Sequence, residues 1–275
     1  MPKNQYFFKV SGNYFLATEE FNYLGEKSNI REELGIYSDV SYRDFSLLLY
    51  LEYGFTDWFT LVLDLPYKNV TSQRTVSFYT ETKEKITNSG FSDLRALGRL
   101  ALLRRSLVFS LQPGIKVPMG YEIIDDIDAP NLGTGEVDGE ISLLSGYSFW
   151  PNPLFITGGF GYRWRGGPVH DEYIYNAQIG YFLQNFGIKL ALDGVRNTQT
   201  PPDIYGQTVV TPLPGGGGAL PPAALGDDED FLKIIPEISY KIYKKWFLQL
   251  GMIHVTSGKN IESGTTYSIG LAKVQ

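Results

Sequence analysis

The chain contains no cysteine and only two histidines, His170 and His254. The first absence excludes a disulfide scaffold, a thiolate-bound metal and a thiol nucleophile together. The second argues against a multi-histidine metal site. Positive charge is also short: 24 Lys+Arg against 30 Asp+Glu leave a net charge of −6, the wrong sign for neutralising nucleic-acid phosphates. No apolar run approaches the roughly 18 residues of a membrane helix. A membrane crossing built of strands stays open, because a barrel hides its apolar face in alternation. No Gly-x-Ser-x-Gly elbow, P-loop or dinucleotide fingerprint occurs, and no cofactor is expected. What is present in quantity is apolar and flexible. Hydrophobic residues make up 43%, which excludes general disorder, aromatics make up 15%, and there are 30 glycines in 275 residues.

Met1-Pro2-Lys3-Asn4 leads straight into Gln5-Tyr6-Phe7-Phe8, with no apolar core and small-residue cleavage site of a secretion signal. Either the protein stays inside the cell, or this is a mature sequence whose signal has been removed. The strand pattern favours the second.

Period-two alternation recurs along the chain while helical periodicity is scarce. In 58–68, Phe59, Leu61, Leu63, Leu65 and Tyr67 alternate with Thr60, Val62, Asp64, Pro66 and Lys68. In 107–117, Leu107, Phe109, Leu111, Ile115 and Val117 oppose Ser110, Gln112, Gly114 and Lys116. Segments 173–183 and 232–242 repeat the pattern. Twelve such stretches occur, at about 5–18, 40–54, 58–70, 91–103, 106–118, 139–149, 154–165, 172–183, 187–196, 230–243, 246–256 and 265–274. A length near ten residues suits a tilted strand crossing a bilayer.

The connections alternate too. Five are short: 55–57, 104–105, 150–153, 184–186 and 244–245. The intervening ones, 19–39, 71–90, 119–138, 166–171, 197–229 and 257–264, are mostly long. Short periplasmic turns opposite long extracellular loops are the habit of outer-membrane barrels. Trp58, Trp150 and Trp246 sit at the short turns, with Phe149 and Phe247 among the aromatics beside them, and read as an aromatic girdle. Trp164, Tyr162 and Tyr173 serve the other rim. The expected fold is all-β: a 12-stranded antiparallel transmembrane barrel occupying 1–275 as a single domain. It is expected in the bacterial outer membrane, with bilayer lipid, lipopolysaccharide and a small-molecule solute as partners and no nucleic acid.

If the apolar alternates face lipid, the others line the lumen. Expected inside are the bases Lys9, Lys68, Arg95, Arg99, Lys116, Arg163, Arg165, Lys189, Lys233 and Lys241. The acids are Asp44, Glu52, Asp64, Asp93, Glu140, Asp193 and Glu237, with Gln112 and Gln178 among the neutral residues. By this count the lumen is slightly basic and the acid excess lies in loops. Two readings compete. Free arginines at 95, 99, 163 and 165, with Lys116, would favour anions, and neutralising Arg95 and Arg99 would shift selectivity toward cations. Arginines paired with Asp64, Asp93 or Glu140 would hold the barrel together, and the same change would loosen it with selectivity almost untouched. Twelve strands lie between the roughly eight that side chains fill and the sixteen or so that leave an open channel, so a narrow passage is expected. The acids of 119–138, among them Asp125, Asp126 and Asp128, read first as a solvated loop. A divalent cation is the sharper reading, but no complete calcium-loop pattern is present. The loop 197–229, with four successive glycines and several prolines, is flexible in composition and long enough to fold back over the pore.

Several segments resemble the outer-membrane family called MetA-pathway of phenol degradation proteins. They are Tyr53-Gly54-Phe55-Thr56-Asp57-Trp58 with Leu65-Pro66-Tyr67, Gly90-Phe91-Ser92-Asp93-Leu94, Ile115-Lys116-Val117-Pro118-Met119-Gly120 and Ser257-Gly258-Lys259-Asn260. Met119 stands where that family usually has Thr, and the chain ends Lys273-Val274-Gln275 where outer-membrane barrels usually close on an aromatic. The resemblance implies an outer-membrane transporter linked to aromatic-compound degradation, without catalytic residues. The function expected is therefore passive passage of small solutes, with aromatic or anionic compounds the first to consider. A non-conducting receptor, adhesin or scaffold is the alternative. An outer-membrane lipid hydrolase is a third reading: His254 and Thr256 share the lipid face two residues apart, but Thr replaces the Ser of such enzymes and no group orients the base.

Overall fold

A computed structural model of the chain describes residues 1–31, 37–77, 81–123, 130–167, 169–199 and 228–275. The cation reading of Asp125, Asp126 and Asp128, and most of the loop 197–229, lie outside them. The described residues form strands β1 (Tyr6–Phe21), β2 (Lys27–Asn29), β3 (Tyr37–Gly54), β4 (Phe59–Ser77), β5 (Glu81–Phe91), β6 (Asp93–Arg104) and β7 (Leu107–Pro118). The chain continues through β8 (Asp138–Ser148), β9 (Leu154–Trp164), β10 (Glu172–Leu183), β11 (Phe186–Asn197), β12 (Asp230–Tyr243), β13 (Trp246–Lys259) and β14 (Ile261–Val274).

Along the wall each strand pairs antiparallel with the next in the order β1, β3, β4, β6 and on through β14, and β14 pairs with β1 from Phe7↔Val274 to Phe21↔Ile261, so the sheet closes on itself. The closed wall has twelve staves, because two strands are not staves in their own right. Among the described residues the short β2 pairs with the top of β1 alone. β5 and β6 are one stave broken at Ser92: β4 pairs with β6 over Phe59–Asp64 and with β5 over Tyr67–Ser77. At the break the Ser92 amide donates to the Pro66 carbonyl at 2.9 Å. Pro66 has no amide to return, which is the ordinary reason a proline sits at an irregularity in a sheet.

All five short turns fall on one end of the barrel. The other end differs from the sequence expectation in three connections. Segment 71–90 is largely a paired extension of β4 and β5 rather than a loop. Segment 257–264 is a tight hairpin turning at Asn260, whose φ is 50°. In 19–39, β1 continues to Phe21 and β2 folds back on it. Polar residues on both faces, from Thr71 to Thr75, keep pairing above the apolar band, so length between apolar stretches overstates loop length.

Alternation sorts the side chains as lipid and water require. Ile179 and Tyr240 are 46% and 54% exposed on the outer face, and Leu143, Leu250, Tyr267 and Ile269 join them around the circumference. A soluble monomer rarely exposes a contiguous apolar surface of this extent. Leu61, Leu63 and Leu111 take the same outward parity, against buried Val62 and Gln112 behind them. At the short-turn end Trp58 is well exposed, Phe149 stands edge-on to Tyr147 at 4.8 Å, and Trp150 is 88% exposed. Trp246 takes the lipid side, where the Lys273 ammonium lies 5.4 Å from its ring. Phe247, grouped with the girdle from sequence, instead shares the face of Gln249 and turns inward, since neighbours on a strand point to opposite faces. The other rim carries Tyr162, Trp164 and Tyr173, with ring centroids 5.2 and 5.5 Å apart around Tyr162.

Candidate functional site: the charged lumen

The barrel encloses a cavity of about 730 Å³ lined by Asp64, Lys68, Asp93, Arg95, Arg99, Gln112, Lys116, Glu140, Arg163 and Arg165, among others. The bases are paired rather than free. Arg95 reaches Glu140 at 2.7 Å, and Arg163 contacts the same carboxylate at 3.1 Å. Arg163 also meets Glu172 at 2.7 Å, and Arg165 shares that partner. Arg165 lies 3.4 Å from Asp138, to which Lys116 binds at 2.7 Å. Lys116 then closes on Asp93 at 3.3 Å and donates to Thr134 at 2.6 Å. Four bases and four acids thus interlock along β6–β10. Lower down, Arg99 pairs with Glu52 at 3.2 Å and donates to Gln112 at 2.8 Å, while Tyr50 donates to Glu52.

Of the two readings of the lumen charges, this arrangement is the paired one. The count that made the lumen basic left out Asp138 and Glu172, both nearly fully buried and both partners of arginines. Their parity was the missed signal: Asp138 is two residues before Glu140, and Glu172 lies four before Asn176, each on the inward face. Asp64, by contrast, forms no ion pair among the described residues, and its Oδ1 is buried without a hydrogen-bond partner. It stands directly across from Arg95 on the neighbouring strand, but Arg95 reaches over β7 to Glu140 instead.

A second cluster lies toward the short turns. Glu237 accepts from Lys189 at 3.0 Å and, reaching over β13 and β14, from Lys9 at 3.3 Å, with Gln249 donating at 3.2 Å. Lys241 lies four residues on along the same face as Glu237. Gln178 follows Asn176 on the inward face of β10. Lys233 lines an adjoining cavity, its ammonium 3.7 Å from the Phe231 ring centroid. The short-turn mouth carries inward aromatics. Phe155 and Phe182 stack at 5.8 Å, and a Cβ at Gly180 or Gly187 would collide with one of these rings. Glycine there lets the rings lie flat on the wall.

Loop residues add to the lining. Pro130, Asn131, Gly133 and Thr134 border the main cavity, so this segment folds into the barrel. It is tied down by Asn88 to the Pro130 carbonyl at 3.2 Å, by Ser92 to the Leu132 carbonyl, and by the Gly135 amide to the Tyr121 hydroxyl at 2.8 Å. Elsewhere at this end, the His170 ring meets Asp228 at 2.7 Å. The hydrolase pair is not assembled: His254 bonds the Thr265 hydroxyl at 2.8 Å, and Thr256 donates to the Leu232 carbonyl at 2.9 Å. Among the described residues no group of three or more His, Cys, Asp or Glu is placed to hold a metal.

No family model matches the chain, and no curated protein matches it. Among solved structures, the fold is similar to that of an outer membrane channel from Pseudomonas putida F1, with a TM-score of 0.71 at 15% identity over 100% of this chain and 97% of that one. It is similar also to the NanC porin, with a TM-score of 0.54 at 8% identity over 97% of this chain and 98% of the porin. At these identities the likeness is one of fold.

Proposed function

We propose that this chain is an outer-membrane channel for passive passage of small solutes, its short turns facing the periplasm. The observation that carries the reading is a charged cavity of about 730 Å³ inside a closed barrel whose outside is apolar. Ion pairs along the wall, rather than side chains packed across the middle, keep the interior roomy enough for water and small solutes. The channel and the porin that share the fold support it. The resemblance to the MetA-pathway family adds aromatic compounds as solutes. The inward rings of Phe155 and Phe182 at the short-turn mouth offer faces on which a flat molecule can stack. Lipopolysaccharide around the long-loop rim and bilayer lipid around the belt are the remaining partners proposed.

The test is a planar-bilayer recording of the refolded protein in potassium chloride. Discrete, long-lived current steps are the expected outcome. A protein that inserts but passes no current, with the loop 197–229 intact or deleted, would favour the scaffold reading instead.

A further inference from the structure

The lumen charges that remain after pairing are not scattered evenly. Along β6–β10 the belt of four bases and four acids sums to zero, and Arg99 is cancelled by Glu52. The other arc of the wall differs. Asp44, Asp64 and Asp193 face the two cavities from β3, β4 and β11, with Glu262 on β14. Among the described residues no base lies within salt-bridge distance of the three aspartates, and Asp44 and Asp64 each bury a carboxylate oxygen without a hydrogen-bond partner. Among the described residues Lys68 and Lys233 stand against this group, while Arg95 and Arg163, already held by belt acids, act on Asp64 and Asp193 from farther off. The three aspartates sit five to ten residues up their strands from the short turns.

At the short-turn end the sign reverses. Lys9, Lys189 and Lys241 lie within three residues of the ends of β1, β11 and β12; Glu237 takes up one of their charges, and Glu52, two residues from the end of β3, is cancelled by Arg99. The turns outside add Arg105, Lys244 and Lys245, while Arg104 pairs with Asp57 at 3.9 Å and so adds no net charge.

We infer that the lumen is electrically polarised along its axis, acidic toward the long loops and basic toward the short turns, and that it therefore rectifies ionic current. This rests on the channel reading. An acidic zone fills with cations and a basic zone with anions, because fixed charge in a low-dielectric wall sets the local counter-ion population. A field driving cations in through the acidic mouth drives anions in through the basic one, so both carriers accumulate inside. The opposite field empties the junction of both. Current at one polarity exceeds current at the other, most strongly in dilute salt. There the screening length is about 30 Å at 0.01 M, against about 3 Å at 1 M.

The experiment compares current at equal and opposite voltages in dilute and molar potassium chloride, with insertion from one side. Two variants are recorded beside the parent: D44N/D64N/D193N and K189Q/K241Q. Retained single-channel steps show that each has folded. The parent should rectify in dilute salt and become ohmic in molar salt. Each variant should bring the current ratio toward unity, the first shifting ion preference toward chloride and the second toward potassium. In a lumen of one dominant sign, removing the minority charge would raise rectification, so a rise in either variant overturns the inference. A parent that conducts equally at both polarities in dilute salt also overturns it and leaves the channel reading standing. Absence of any current overturns the channel reading itself.

Discussion

Glu140→Gln should cost the barrel about 2–4 kcal/mol, measured as a shift in the urea midpoint of tryptophan fluorescence in detergent or bilayer. The carboxylate is 2% exposed and accepts from both Arg95 and Arg163, so its removal leaves two guanidinium groups facing each other with one partner fewer each. Breaking a fully buried pair costs about 3–5 kcal/mol. The lower figure applies because Arg95 is 34% exposed and recovers some hydration from lumen water. The same substitution leaves the belt with four bases and three acids, so the middle of the lumen should gain chloride preference. Arg163 keeps Glu172, which limits the loss. A variant as stable as the parent would mean that the network is solvated and contributes nothing.

The second large effect is expected on the other face. Ile179→Arg should destabilise the folded state by about 2–4 kcal/mol, the cost of a base at the bilayer midplane. Ile179 is outward and exposed near the middle of β10, opposite Ile156 and Leu190 on the flanking strands. The neighbouring Gln178→Arg points into the lumen and should be nearly neutral. Folding yield into vesicles, read as the heat-sensitive mobility shift, checks the pair. Equal yields for 178 and 179 would mean that β10 is assigned to the wrong face, since a one-residue slip exchanges them.

The staves were legible because lipid and lumen impose opposite chemistry on alternate residues, and Leu61, Leu63 and Ile179 carry that signal without help from context. Turn length was equally plain at the short end, where Lys244-Lys245 leaves room for nothing else. The long-loop end was harder to read. Above the bilayer both faces of a strand meet water, so Thr71–Thr75 of β4 loses the alternation while keeping its hydrogen bonds. The aromatic Phe247 misled for a related reason: proximity to a turn does not fix which face a ring takes, whereas parity with Gln249 does.

Within the lumen, which residues face inward could be read, but which of them meet could not. Strand neighbours would have paired Asp64 with Arg95. The stagger of a tilted barrel and the reach of an arginine send Arg95 past β7 to Glu140, and Lys9 past two strands to Glu237. Pairing that skips strands depends on shear, which no single strand encodes. The neutral belt, and the reversal of charge along the axis, emerge only when those partners are known.

The seam between β1 and β14 has a consequence for how the molecule reaches its shape. It joins residues 7 and 274, nearly the whole chain apart, while most other stave contacts are between consecutive hairpins. Hairpins form in about 1–10 μs, and each added stave extends a curling sheet by a local step. Closure must wait for the far ends to meet, and non-local pairing of this kind slows folding in proportion to contact order. Until it happens, the sheet presents two open edges of unpaired backbone, each able to take up a strand from another chain. Assembly is thus a race between ring closure and edge-to-edge association, and dilution favours the ring.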